Sequence, residues 1–225
     1  MNNKTDIKNK SFADFVDFLS EKLQEQKPGQ SAHELMAPRL KGELFRKFKA
    51  GSKTSDSAVL LLLTGDFNHI ELLFTLRAKS LINHSGQISF PGGKIEQAET
   101  NIDAALRETY EETGIESEKI NIIGELSTLF VPPSNSIIHP VVAYISRNKI
   151  DIRINPDEVE EAFFSPLSFF LHESSKQSGQ WNINGSIVDV PFWNIHKTTP
   201  LWGATAMILS EFLVISKSYF SEKNI

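Results

Sequence analysis

The chain has 225 residues, of which 40% are hydrophobic and 16 are phenylalanine, and it has no cysteine; it can bury the core of one domain, while disulfides, thiolate nucleophiles and zinc–sulfur sites are excluded. A net charge of −5 supplies no global positive field for a nucleic acid polymer or an anionic membrane, so an anionic ligand must be held by local Lys or Arg and by metal. The opening MNNKTDIKNK lacks the apolar centre of a signal peptide, and no apolar run reaches the roughly 18 residues needed to span a bilayer, which points to a cytoplasmic protein.

In chain order, Phe12, Phe15, Val16, Phe18, Leu19 and Leu23 recur at helical spacing and predict a helix over 11–26, ended by Pro28 and Gly29. Residues 31–53 read as a basic, irregular connection carrying Arg39, Lys41, Arg46, Lys47 and Lys49, a solvated linker more than a substrate clamp. Two short apolar runs, 58–64 and 70–77, predict buried strands joined in a hairpin by Gly65-Asp66-Phe67-Asn68. A loop over 83–91 leads into Phe90-Pro91-Gly92-Gly93, where glycines let the backbone approach a ligand; His84 reads as a hydrogen-bonded loop residue. A helix over 101–113 follows, capped by Thr100 with Asp103 and closed by Gly114. Runs 120–129 and 137–145 predict strands around a loop, Val131-Pro132-Pro133-Ser134-Asn135, of the kind that lines sites. Asn155-Pro156-Asp157 opens a short acidic segment over 158–164, with Glu160 and Glu161 read as solvated helix carboxylates. Asn184-Gly185 marks a hairpin within 181–190, and 202–219 reads as an amphipathic closing helix. Strands before and after one central helix, with helices at both ends, imply an α/β fold with a mixed sheet between helices. The expected division is an N-terminal helix and connection over 1–50 and a main domain over 51–225.

The central helix carries the chemistry. Glu108, Glu111 and Glu112 recur at i, i+3 and i+4 and are predicted to converge on one side, with no lysine among them. Like charges at this spacing cost a few tenths of a kcal/mol each, so the stripe asks for a cation. Carboxylate oxygens are hard ligands suited to Mg²⁺ or Mn²⁺, which points to phosphate chemistry. A plain solvated acidic helix would explain Glu111 and Glu112, but not the glycine turn, the Arg107–Glu108 pair and Gly114 at fixed offsets.

Those offsets are a pattern: Gly93, Glu99 six on, Arg107 and Glu108, then Glu111, Glu112, Gly114 and Ile115. The spacing resembles the box of the Nudix hydrolases, G-x5-E-x7-R-E-U-x-E-E-x-G-U, with Thr109 standing where an aliphatic residue is commonest. The resemblance implies an α/β/α sandwich and metal-dependent hydrolysis of a diphosphate linkage in a small-molecule substrate. It implies metal ligation by Glu108, Glu111 and Glu112 with the Gly92 carbonyl, and an Arg107 that orients Glu108 and pairs with Glu99. The catalytic base falls between Glu111 and Glu158.

Upstream, Leu73-Phe74-Thr75-Leu76-Arg77-Ala78, Gly86 and Phe90-Pro91-Gly92-Gly93 are similar to a second signature, that of the coenzyme A pyrophosphatase branch. Ile82 replaces an arginine of that signature, and an aliphatic side chain cannot stand in for a phosphate fork. Arg77, Gly86, Phe90 and Gly93 are therefore the expected substrate-binding residues, and the implied products are 3′,5′-ADP and 4′-phosphopantetheine. Asn155 to Val159 and Trp202 to Ala206 resemble the same branch. Two other readings stay open: a Nudix hydrolase for ADP-ribose or another nucleotide derivative, and a non-catalytic ligand-sensing module. A homodimer is left open as the assembly.

Overall fold

A computed structural model describes residues 11–45, 54–66, 68–79 and 86–221; Ile82, His84, Arg46, Lys47 and Lys49 lie outside the described residues. Helix α1 (Phe12–Lys22) and a single turn α2 (Gln30–His33) lead to two short strands, β1 (Arg39–Leu40) and β2 (Glu43–Leu44). Then come β3 (Ser55–Asp66), β4 (His69–Arg77), β5 (Ile88–Ser89), β6 (Gly92–Lys94) and α3 (Asn101–Thr113). The second half holds β7 (Asn121–Glu125), β8 (Leu129–Val131), β9 (Ser136–Tyr144) and β10 (Val159–Pro166), then α4 (Leu167–Leu171), β11 (Lys176–Ile183), β12 (Ser186–Trp193) and α5 (Gly203–Ser221).

The main sheet runs β10-β4-β3-β9-β7, with β5, β6 and β8 paired onto β4, β3 and β9. Its β3–β9 pair is parallel and its other pairs are antiparallel, so the sheet is mixed. Strand β3 explains why both faces are covered. Ala58, Leu60 and Leu62 pack with Ala104 and Ala105 of α3, while Leu61 and Leu63 pack with Phe15 and Leu19 of α1 and Leu209 and Phe212 of α5. A strand buried on both faces reads as the continuous apolar run AVLLLL, since period-2 alternation then places hydrophobic residues on either side. The result is an α/β/α sandwich, with α3 on one face and α1 and α5 on the other. Among the described residues, no helix is long and apolar enough to cross a membrane.

Several expected elements differ. Helix α1 stops at Lys22 rather than 26, because the Lys27 ammonium binds the carbonyls of Leu23 at 3.4 Å and Glu125 at 3.0 Å and draws the chain onto β7. Residues 31–45 are not a solvated linker: Ala32, Met36 and Ala37 are buried, and β1 pairs with β12 to extend the β11–β12 hairpin into a second, four-stranded sheet. The N-terminal helix and this segment thus share one core with the sheet. The 83–91 loop contains β5, and the 120–129 run is split into β7 and β8 around buried Leu126. Residues 159–166 form an edge strand rather than a helix. Phe163 stacks on Phe74 at 6.0 Å, while exposed Glu160 and Glu161 face Lys79 and His196, the charged pattern of a protected sheet edge. Finally, α5 is not amphipathic where it matters: residues 206–213 are all buried, because α5 is wedged between the sheet and the N-terminal segment.

Candidate active site

Helix α3 is fixed at both ends. Thr100 Oγ1 accepts from the Asp103 N–H at 3.1 Å and the Asp103 carboxylate accepts in return, completing the capping box. Gly114 closes the helix at φ 71°, and a Cβ there would meet Arg153 at 3.0 Å. The box position occupied by Thr109 is fully buried, and its hydroxyl donates to the Ala105 carbonyl at 2.7 Å. A threonine is therefore satisfied within the helix and needs no further partner.

Arg107 organises one side. Its guanidinium donates to Glu99 at 2.8 and 3.1 Å, to Glu108 at 2.9 Å, to Glu111 at 3.1 Å and to the Lys94 carbonyl at 3.0 Å. Glu99 first, with Glu108 behind it, holds this guanidinium firmly protonated, and the same pairing holds the partly buried Glu99 carboxyl below its ordinary range. The Glu108 carboxylate lies against the glycine turn so closely that a Cβ on Gly93 would come 2.3 Å from its oxygen. Any side chain at 93 would have to push that carboxylate aside.

Glu112 is 1% exposed. It takes one hydrogen bond from Arg77 at 3.3 Å and one from the Gly92 N–H at 3.3 Å. Burial pushes its carboxyl up to about 7, with Glu108 and Glu158 adding to the rise and Arg77 and Gly92 opposing it. Glu108 is likewise raised, by burial first, against the pull of Arg107, with Glu111 and Glu158 adding to the rise. Glu158 precedes β10. Its carbonyl accepts from the Ala78 N–H at 2.8 Å, and its side chain accepts from Asn155 at 3.3 Å.

Glu108, Glu112 and Glu158 therefore act on one another through their charges, and Glu111, turned outward onto Arg107, still adds to the charge at Glu108. Among the described residues no three acidic or imidazole side chains form a ready-made cation site. The donors still fit a divalent cation: all are hard oxygens, and a positive charge among them would relieve their mutual repulsion. Moving Glu111 into the set breaks only a half-exposed i, i+4 pair, worth a few tenths of a kcal/mol.

Beside the carboxylates lies a largely apolar cavity of about 460 Å³. Arg77, Phe90 and Gly92 line it, and Leu129 to Ser134 form one wall, which includes the proline loop expected to line a site. Phe90 is held by stacking on Phe74 at 5.1 Å. Gly86 is not among the lining residues: it closes the turn after β4, its N–H on the Arg77 carbonyl at 3.1 Å. Gly93 faces Glu108 instead of the cavity. Sequence reading missed the remaining walls, Pro38, Phe45, Ile183, Asn184 and Trp202 to Thr205. The signal for the last was present, since Trp202 to Ala206 resemble the coenzyme A branch.

The NUDIX domain family matches residues 54–183. Nudix hydrolase 3 of Caenorhabditis elegans is 28% identical over 173 residues, 71% of this chain and 72% of that one. The mouse mitochondrial coenzyme A diphosphatase NUDT8 is 32% identical over 161 residues, 70% of this chain and 76% of that one. The mouse peroxisomal coenzyme A diphosphatase NUDT7 is 35% identical over 116 residues, 51% of this chain, and the match spans about half (48%) of that protein's length. Among solved structures, a MutT/nudix family protein from Enterococcus faecalis aligns with a TM-score of 0.49 over 79% of this chain and 66% of that one, at 17% identity. With the domain match covering more than half of the chain and the glutamate helix inside it, the chain belongs to the Nudix hydrolases, a family that acts on diphosphate linkages and uses divalent metal ions.

Proposed function

We propose that this chain hydrolyses the diphosphate of coenzyme A or an acyl-coenzyme A, giving 3′,5′-ADP and 4′-phosphopantetheine or its acyl form. The observation that carries the reading is the position of Arg77, which bonds the buried Glu112 on one side and lines the apolar cavity on the other. A cation at that junction can hold a phosphate while an apolar arm enters the cavity. The match of 73–78 and 90–93 to the coenzyme A signature and the two named coenzyme A diphosphatases support the same choice.

Glu108, Glu112 and Glu111, with the Gly92 carbonyl, would hold Mg²⁺ or Mn²⁺. Such an ion would supply charge neutralisation at the phosphate and activation of water. Arg107 keeps Glu108 aligned by holding it together with Glu99. In this reading Glu158 would accept the proton as water attacks phosphorus: the new P–O bond forms, the bridging P–O bond breaks, and the leaving phosphate departs with the bridging oxygen. A pH–rate profile of Glu158→Gln at saturating metal distinguishes its roles. A lost acidic limb makes it the base, and a wild-type profile with weaker metal affinity makes it a ligand.

The deciding experiment is a substrate panel with Mg²⁺ or Mn²⁺, read by chromatography. Coenzyme A cleaved in preference to ADP-ribose and dinucleotide polyphosphates is the expected result. Preference for ADP-ribose would reassign the substrate, and no cleavage at all would remove the enzymatic reading.

A further inference from the structure

Outside the glutamate site, the described residues hold a second buried carboxylate whose surroundings are unlike those of a packing residue. Glu211 is 0% exposed and sits in the middle of the apolar face of α5. Its Oε1 accepts from the Gly29 N–H at 2.9 Å and the Ser127 hydroxyl at 2.7 Å. Its Oε2 accepts from the Ser127 N–H at 3.1 Å and lies 3.0 Å from Nε2 of His33, itself buried. A carboxylate offers about four lone-pair sites, and here all four face a donor group. Burial opposes the charge, yet His33, Ser127 and Gly29 together hold the carboxyl below its ordinary range.

The four contacts come from two segments remote from α5 in sequence, and each leads directly into a wall of the cavity. Ser127 stands two residues before Leu129, where the proline-loop wall begins. Gly29 and His33 anchor the segment that continues through buried Met36 and Ala37 to Pro38. On α5 itself, Glu211 is one turn from Met207 and Ile208, both of which line the cavity. Three of the walls are thus tied to one side chain that touches none of the reacting groups.

We propose that Glu211 is a positioning residue for substrate binding: through Gly29, His33 and Ser127 it fixes the N-terminal, proline-loop and α5 walls of the cavity relative to one another. The consequence for turnover rests on the cavity taking the substrate, as proposed above; the structural consequence does not.

The test uses the full chain carrying Glu211→Gln, which keeps the shape but sets an amide N–H₂ among donors. Two measurements are made: steady-state kinetics on the best substrate of the panel, and hydrogen exchange by segment. The expected result is a KM raised about tenfold or more with kcat within about threefold and an unchanged Mg²⁺ dependence, together with faster exchange over 29–45 and 127–134 and unchanged exchange in α3. An unchanged KM, a kcat loss matching any KM change, or exchange that rises evenly across the chain overturns the proposal. Should Glu211→Gln fail to fold, Ser127→Ala removes one hydroxyl and leaves the charge. It must then raise KM about threefold with local exchange over 127–134, and a flat KM overturns the assignment. If wild-type protein cleaves nothing on the panel, the functional reading fails by itself, and the exchange pattern alone supports or overturns the role of Glu211.

Discussion

Glu112 and Glu211 are two glutamates buried to the same degree, 1% and 0% exposed, on helices that cover opposite faces of one sheet. Their carboxyls are pushed in opposite directions. Glu211 faces four donor groups at 2.7–3.1 Å and is held below the ordinary range. Glu112 has two donors, both at 3.3 Å, and is pushed up to about 7. Burial alone does not decide whether a carboxylate is comfortable; the number and closeness of its donors do. The satisfied glutamate holds walls in place. The undersupplied one keeps acceptor capacity for something the protein does not provide, and the divalent cation proposed for this site would answer that shortfall.

The sharpest way to break this contrast is to remove each charge. Glu112→Gln should lower turnover by 10²-fold or more at saturating Mg²⁺, while metal-free thermal stability stays level or rises, because an underpaired buried charge is gone. Glu211→Gln should lower the melting temperature instead. If both variants lose stability alike in a thermal scan, the two sites do not differ as described.

Gly93→Ala tests how tightly the turn and the carboxylate fit. Its methyl would meet a Glu108 oxygen at 2.3 Å, and displacing a catalytic carboxylate by about 1 Å costs on the order of 10²-fold in rate. Steady-state kinetics should show that loss with a near-native circular dichroism spectrum; full activity would mean that Glu108 has no fixed place.

The pH dependence separates the two glutamates by sign. Glu112 has a folded value raised from 4.5 to about 7, so its contribution is fully present below pH 4.5 and is lost as pH rises through 7. Relative to Glu112→Gln, the metal-free wild-type protein should lose on the order of 1–3 kcal/mol between pH 5 and 8. Added Mg²⁺ should flatten that limb, since metal favours the charged form. Glu211, held low, contributes stability above 4.5 that disappears as pH falls through its lower folded value. Melting temperature against pH for wild type and both variants reads the two limbs separately.

The smallest effect expected is at Thr109. Thr109→Val restores an aliphatic residue but gives up the bond to Ala105, so stability should move by less than about 1.5 kcal/mol and kcat should not change. A large kcat change would show that helix α3 bends at that bond.

The parts of this molecule legible in the sequence are those governed by local rules. The bounds of α3, its cap at Thr100 and its closure at Gly114 follow from side chains within a few residues of the backbone groups they satisfy. The Asn184-Gly185 hairpin does too, with φ of 51° and 82° at its two turn residues. The α/β/α layering was readable from β3, whose run of leucines needs cover on both faces. What escaped depends on partners far along the chain. Residues 39–44 look like a basic linker until Asp189 of β12 pairs with Arg39. Val159 to Pro166 looks acidic and helical until β4 offers it an edge. The outward turn of Glu111 was hidden for another reason: helical spacing places it beside Glu108, but Arg107 at i−4 reaches it first. Glu211 left one trace, a lone charge within the run Ala206 to Leu213, whose meaning appears only when Gly29 and Ser127 arrive from elsewhere.

The parallel pairing of β3 with β9 has a kinetic consequence. Parallel neighbours cannot be joined by a tight turn, and here the connection between them contains β4, the glycine turn and α3 itself. The glutamate helix therefore lies inside the loop that must close before the centre of the sheet exists, and its apolar side has nothing to dock on until Leu60 and Leu62 are in place. Closing so long a loop is a slow, non-local step. The site and the sheet should accordingly form and come apart in one cooperative event, with α3 amides exchanging at the rate of global unfolding, so that no partly folded form retains the glutamate helix.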